Sequence, residues 1–68
     1  MSSITNRTQL VWTVTVYREN KIILEDDIEF FDFDTAVDRA KLYVSQYVEE
    51  TGLYHHAELK PKVVPIYN

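Results

Sequence analysis

Residues 10–17 read Leu-Val-Trp-Thr-Val-Thr-Val-Tyr and decide the fold, because they alternate with the period of two that a β-strand requires. One side of the predicted strand carries large apolar residues, and the other carries β-branched and aromatic ones. Both sides therefore suit partial or full burial, which indicates a central position in a sheet. The first set comprises Leu10, Trp12, Val14 and Val16, and the second comprises Val11, Thr13, Thr15 and Tyr17.

A second strand is predicted directly after a short turn. Residues 18–21 read Arg-Glu-Asn-Lys and have turn character, since Asn20 tolerates a positive φ. The apolar parity of the following run comprises Ile22, Leu24, Ile28 and Phe30. Asp26 interrupts this parity, which predicts a bulge or a strand end near Asp26 and Asp27. We expect the other parity to face water, and it comprises Ile23, Glu25, Asp27, Glu29 and Phe31.

Residues 35–51 are predicted to form one helix. Thr35 and Asp38 have the spacing of a capping box, and Asp34 is an alternative N-cap. Gly52 follows the predicted helix and favours a C-terminal stop. Apolar residues recur at helical spacing and predict the face that packs on the sheet, namely Ala36, Val37, Ala40, Tyr43, Val44, Tyr47 and Val48.

A third strand is predicted between Tyr54 and Tyr67, at a sheet edge, because Pro61 and Pro65 cannot donate ladder hydrogen bonds. A crossover through the helix would place this strand beside the first one. The predicted fold is therefore α+β, in the order β-β-α-β, with a three-stranded antiparallel sheet of order 2-1-3 and the helix packed on one face. We expect residues 1–8 to form a flexible N-terminal leader and residues 9–68 to form a single small domain.

The length of 68 residues allows one small core and leaves little room for an enclosed substrate cavity. Apolar burial and ordering entropy nearly balance at this size, and the absence of cysteine excludes disulfides. We therefore expect a homodimer, because association would supply the missing stability. The N-terminal residues lack the apolar core of a signal peptide and no apolar run reaches membrane-spanning length, so we expect a cytoplasmic protein without a membrane partner.

Residues that could carry catalysis or bind a metal are few. His55 and His56 are adjacent, so a strand would point them to opposite faces, and they lack the spacing of a shared metal site. The carboxylates of residues 25–38 lack the glycine and the alternation of a calcium loop. Serine occurs in no nucleophile motif, and Gly52 alone cannot build a phosphate-binding loop. We predict no enzymatic activity, no cofactor and no metal.

The acidic middle of the chain suggests a function. Residues 25–38 carry seven carboxylates and no Lys or Arg, so this stretch has a charge of −7 and the other residues sum to +3, given the net charge of −4. Such a patch attracts basic surfaces and repels phosphate backbones. We hypothesise a small acidic recognition protein that docks on a basic protein surface, for instance as an inhibitor of a nucleic-acid-binding protein of the kind that phages and mobile elements make. The predicted docking residues are Glu25, Asp26, Asp27, Glu29, Phe31, Asp32 and Asp34, with Phe30 and Phe33 interleaved.

Two alternative functions stay open at this point. In the first, the protein is a homodimeric structural or adaptor module whose contact is made by an edge strand or by the sheet face without a helix. The predicted interface residues are Val11, Tyr17 and Ile23, with Leu42 on the helix as a further contact. In the second, aromatic side chains of the sheet stack on single-stranded nucleic acid beside residues 60–62, which read Lys-Pro-Lys. The acidic stretch argues against a nucleic-acid partner.

Overall fold

The computed structural model describes residues 7–66, which form three strands and one helix. The strands are β1 (Thr8–Arg18), β2 (Lys21–Glu25) and β3 (His56–Pro65), and the helix is α1 (Phe33–Thr51). The strands make one antiparallel sheet in the order β2-β1-β3. The α+β fold, the β-β-α-β order and the central position of the first strand are confirmed.

The turn between β1 and β2 has the backbone that its sequence predicts. Glu19 and Asn20 have φ values of 52° and 65°, which is the pair of positive angles that a tight hairpin turn requires. The ladder then pairs Tyr17 with Ile22 and Val16 with Leu24, so Ile23 is an extra residue in a β-bulge. β2 ends at Glu25, and this confirms the predicted strand end near Asp26, while the bulge lies earlier in the strand.

The N-terminal leader predicted for residues 1–8 falls mostly outside the described residues. Thr8 belongs to β1, where it pairs with Pro65, and the carbonyl of Arg7 accepts a hydrogen bond of 3.0 Å from the Ile66 amide. The ordered ladder therefore reaches at least two residues into the stretch that was expected to be a leader. Tyr67, at the end of the predicted third strand, also lies outside the described residues.

The core lies between α1 and one face of the sheet. Val14 and Val16 of β1 are buried there with Phe30, Ala36 and Ala40. The predicted inward parity of β1 is thus confirmed for three positions, since Trp12 packs against the same cluster. The other side chains that pack against it are half-buried, namely Ile23, Leu24, Tyr43, Tyr47, Ala57 and Leu59.

The N-terminus of α1 differs from the prediction. The helix begins at Phe33, and Asp32 is its N-cap, because the Asp32 carboxylate accepts hydrogen bonds from the Thr35 amide at 3.0 Å and the Thr35 hydroxyl at 2.9 Å. The prediction of Thr35 or Asp34 as the cap is therefore wrong. The C-terminal stop is confirmed, since Gly52 has φ of 72° and its amide donates to the Val48 carbonyl at 2.8 Å.

The buried face of α1 is narrower than predicted. Ala36 and Ala40 are its only buried positions among the described residues, which lets the helix lie close to the sheet. Val37 and Val44 are half-buried at the side of the helix that faces β3, and Val48 is exposed. The prediction of Val48 as a core residue is wrong.

The third strand is an edge strand, as its prolines predict. β3 pairs with β1 along its whole length and has no other strand beside it within residues 7–66. No helix formed by the described residues is long and apolar enough to cross a membrane.

Candidate functional site

The residues between β2 and α1, numbered 26–32 and called the β2–α1 loop below, are held against β1 by backbone hydrogen bonds. The Asp26 amide donates to the Val14 carbonyl at 3.0 Å. Further along, Phe30 and Trp12 exchange two backbone hydrogen bonds, of 2.8 and 2.9 Å. The loop therefore continues the edge of the sheet where β2 stops, and its path is fixed at both ends.

Asp26 fixes the start of this loop through its side chain. One carboxylate oxygen accepts from the Ile28 amide at 3.0 Å, and the other accepts a short hydrogen bond from the Tyr43 hydroxyl. This bond, together with burial and the Asp26 charge, raises the pKa of Tyr43, and the nearby Arg39 opposes the rise. The Arg39 guanidinium lies 5.9 Å from the ring centres of both Phe30 and Tyr43, within cation–π range.

The loop buries some of its side chains and exposes others. Phe30 enters the core, whereas Phe31 is 64% exposed and Ile28 is 47% exposed. Phe33, at the start of α1, is equally open at 47%, although its ring packs edge-on against Trp12 at a centroid distance of 4.9 Å. Large apolar side chains with this exposure, in a stretch of sequence rich in carboxylates, are typical of an interaction surface.

The structure divides the predicted acidic docking residues into two groups. Asp26 and Asp32 use their carboxylates in intramolecular hydrogen bonds, with Tyr43 and at the helix N-cap respectively. Glu29 pairs with Lys62 at 2.9 Å. The members that stay exposed, without a hydrogen bond or ion pair to another side chain of residues 7–66, are Glu25, Asp27 and Asp34.

The expectation that acidic residues alternate along one face of the second strand is wrong. β2 ends at Glu25, so Asp27 and Glu29 belong to the β2–α1 loop and not to a strand. The strand stops because the Asp26 side chain bonds to the Ile28 amide two residues later, which is a turn that competes with the ladder. The carboxylates of Asp27 and Glu29 therefore lie on a loop and not on a strand.

The Glu29–Lys62 ion pair lies across β1. Lys62 is on β3 directly opposite Val11, while Glu29 is on the other side of β1, next to Phe30. The two side chains meet over the sheet face that has no helix, and Val11, which lies on this face, is 0% exposed. Sequence reasoning missed this pair because its members are 33 residues apart and no local spacing signals it.

The four residues predicted for an apolar dimer interface do not form one exposed patch on the helix-free sheet face. Val11 is covered, and the bulge turns Ile23 toward the core on the helix side. Leu42 is exposed on α1, away from this face. Of the four predicted interface residues only Tyr17 lies half-exposed on this face, where its ring stacks on His56 at 5.0 Å.

Charged side chains occupy most of this face. Thr15, at its centre, is 1% exposed and lies between Glu25 on β2 and Glu58 on β3. The Lys60 ammonium sits 5.5 Å from the centre of the Tyr17 ring. The neighbouring Tyr17 phenol raises the pKa of Lys60 most, and the charges of Glu58 and Glu25 add to the rise. Lys60 and Lys62, which the nucleic-acid alternative needs, are thus both engaged with neighbouring side chains.

The two histidines occupy opposite sides of the sheet. His55 is buried, its Nδ1 lies 2.9 Å from the Leu53 carbonyl, and its ring stacks on Tyr47 at 5.4 Å. His56 stacks on Tyr17 on the helix-free face and approaches Glu58 at 3.8 Å. Within residues 7–66, no three His, Asp or Glu side chains lie together so that they could hold a metal ion.

Comparison of the chain with models of protein families, with curated proteins and with solved structures gives no match in any of the three.

Proposed function

We propose that this protein is a non-enzymatic recognition protein that docks its β2–α1 loop on a partner protein with an apolar pocket and a basic rim. The observation that carries the proposal is Phe31, which is 64% exposed in the middle of an acidic loop. Aromatic side chains are the commonest anchors of protein interfaces, and they contribute most when a surrounding polar rim excludes water.

The loop is ordered before any partner binds. Three residues hold it in place. The Asp26 side chain accepts a hydrogen bond from α1, and Phe30 exchanges two backbone hydrogen bonds with β1. Asp32 is the N-cap of α1. The exposed residues Ile28 and Phe31 lie between these fixed points. Binding through such a loop costs little conformational entropy, which favours affinity.

The charges of the loop indicate the chemistry of the partner. Asp27 and Asp34 are exposed beside Phe31, and Glu25 lies just before the loop. Because none of these three carboxylates forms a hydrogen bond or ion pair with another side chain of residues 7–66, they would accept Lys and Arg side chains of a partner and steer its approach. A partner that normally binds nucleic acid is one concrete case, since the loop would then occupy a phosphate-binding surface and act as an inhibitor.

The test is an affinity capture from the native host with matched variants. Phe31→Ser should lose a basic protein that the wild type retains, and Asp27→Lys combined with Asp34→Lys should lose it too. Leu42→Ser, together with Glu49→Lys and Glu50→Lys, alters exposed positions on α1 and should leave capture unchanged. The purified partner should then bind more weakly as salt rises. Equal capture by the wild type and both loop variants would refute the proposal.

A further inference from the structure

The outer edge of β3 has a defined pattern of free backbone groups. Trp12 and Val14 direct their backbone groups toward Phe30 and Asp26, on the side of β1 away from β3. The even-numbered residues of β1 therefore face the β2–α1 loop, and the odd-numbered residues bond to even-numbered residues of β3. The backbone groups that point outward from β3 belong to Ala57, Leu59, Pro61, Val63 and Pro65.

Both prolines of β3 occupy outward-facing positions, so neither removes a hydrogen bond to β1. Proline lacks the amide donor, so Pro61 and Pro65 offer only carbonyl acceptors along the C-terminal half of this edge and weaken pairing there. Ala57 and Leu59 keep their donors. The edge is thus open to another strand over a short stretch centred on these two residues.

An apolar groove runs beside this open stretch. It lies between α1 and β3, has a volume of about 530 Å³ and is lined by Ala57 and Leu59 on the strand and by Val37, Lys41 and Val44 on the helix. A strand added to the edge would direct every second side chain to the helix side of the sheet, over this groove. Backbone donors and an apolar groove therefore coincide at one place.

We propose that the occupant is a second copy of this chain, which pairs its own β3 antiparallel to this one about a twofold axis through Leu59. Leu59 and the partner's Leu59 would exchange two backbone hydrogen bonds, and each Ala57 amide would donate to the carbonyl of the partner's Pro61. The result is a closed dimer with a continuous six-stranded sheet and both helices on the same side. This interface is separate from the β2–α1 loop.

The charges of β3 select this register. With the axis at Leu59, Glu58 lies directly opposite the partner's Lys60, and the symmetry repeats this pair, so that two cross-strand ion pairs form on the helix-free face. Moving the axis by one residue, to Glu58, would oppose Glu58 to the partner's Glu58 and His56 to the partner's Lys60. The antiparallel register at Leu59 is therefore self-complementary, and the prolines terminate it on both sides.

Charge exchange tests the dimer in the intact chain. Sedimentation velocity should show a wild-type dimer, and Glu58→Lys or Lys60→Glu alone should weaken association on the order of tenfold or more, because each variant opposes like charges twice. An equimolar mixture of the two variants should restore the dimer, which a folding defect could not do. Glu49→Lys makes the same charge change on α1 and should associate like the wild type.

Cysteine pairing tests the register, and the chain has no cysteine of its own. Opposed residues at positions 58 and 60 form a non-hydrogen-bonded pair with Cα atoms about 4.5 Å apart, which suits a disulfide. Glu58→Cys mixed with Lys60→Cys should cross-link on oxidation, and neither variant alone should do so. A wild-type monomer at every concentration, a dimer insensitive to both charge variants, or a cross-link in Glu58→Cys alone would overturn the proposal.

Discussion

The hydroxyl of Tyr43 on α1 donates a hydrogen bond to the carboxylate of Asp26, the residue at which β2 gives way to the loop. This contact joins the helix to the sheet edge, and it also fixes where the acidic surface begins, since the same carboxylate holds the Ile28 amide. Asp26 was predicted to be a docking residue, and its principal contact is internal. The Asp26 side chain thus contributes both to the stability of the fold and to the position of the loop that exposes Phe31.

Tyr43→Phe should lower the free energy of unfolding by about 1.5 kcal/mol, because it removes a hydrogen bond to a charged group and leaves the half-buried carboxylate without that donor. Tyr47→Phe is the matched control. Tyr47 lies one turn further along α1, and its hydroxyl makes no side-chain hydrogen bond within residues 7–66, so this variant should change stability little. Urea denaturation followed by circular dichroism measures both, and equal midpoints for the two variants would contradict the expectation.

Alkaline pH should weaken the same contact. The bond to Asp26 raises the pKa of Tyr43 above the ordinary value, so the folded protein holds the phenolic proton more tightly than the unfolded chain does. The stabilisation is therefore complete below the unfolded pKa of about 10 and is lost as pH rises through the higher folded value. Stability measured from about pH 8 to about pH 11 should fall more steeply for the wild type than for Tyr43→Phe. Parallel curves would show that the phenol does not contribute.

The N-cap of α1 can be tested with two neighbouring aspartates. Asp32→Ala should cost about 1 kcal/mol, because it removes the acceptor of the Thr35 amide and hydroxyl. Asp34→Ala should cost about 0.5 kcal/mol, since Asp34 in the first turn contributes only through the helix dipole. Thermal unfolding of both variants measures which aspartate contributes more to stability. A larger loss for Asp34→Ala would restore the capping that the sequence predicted.

Two apolar truncations should differ in cost, although the sequence pattern assigns both Trp12 and Val44 to faces suited to burial. Trp12→Ala should cost about 3 kcal/mol, because the indole packs against the core cluster and against Phe33. Val44→Ala should cost about 1 kcal/mol, since Val44 lines the groove beside β3 and is only half-buried. Denaturant titration gives both values. Equal losses would place Val44 within the core instead of at its margin.

The amino-acid sequence was sufficient to predict the elements and their order. The alternation of residues 10–17 is a local pattern with a single period, and the prolines of β3 are local signals of an edge strand. Gly52 and Asn20 mark backbone conformations that few other residues adopt. These signals depend on a residue and its near neighbours, so they can be read without knowing the fold. The sheet order 2-1-3 followed from them because a crossover through a helix returns beside the first strand.

Only the tertiary structure decided which carboxylates and apolar residues are available to a partner. Asp26 meets Tyr43, Glu29 meets Lys62 across β1, and Ile23 turns inward because of a one-residue bulge. Each of these outcomes depends on a distant residue or on a one-residue shift in register, and a shift of that size reverses the face on which a side chain lies. Sequence alone therefore determined that the chain has an acidic segment, and folding determined that Glu25, Asp27 and Asp34 stay exposed there without a side-chain partner in residues 7–66, beside an exposed Phe31 in the same segment.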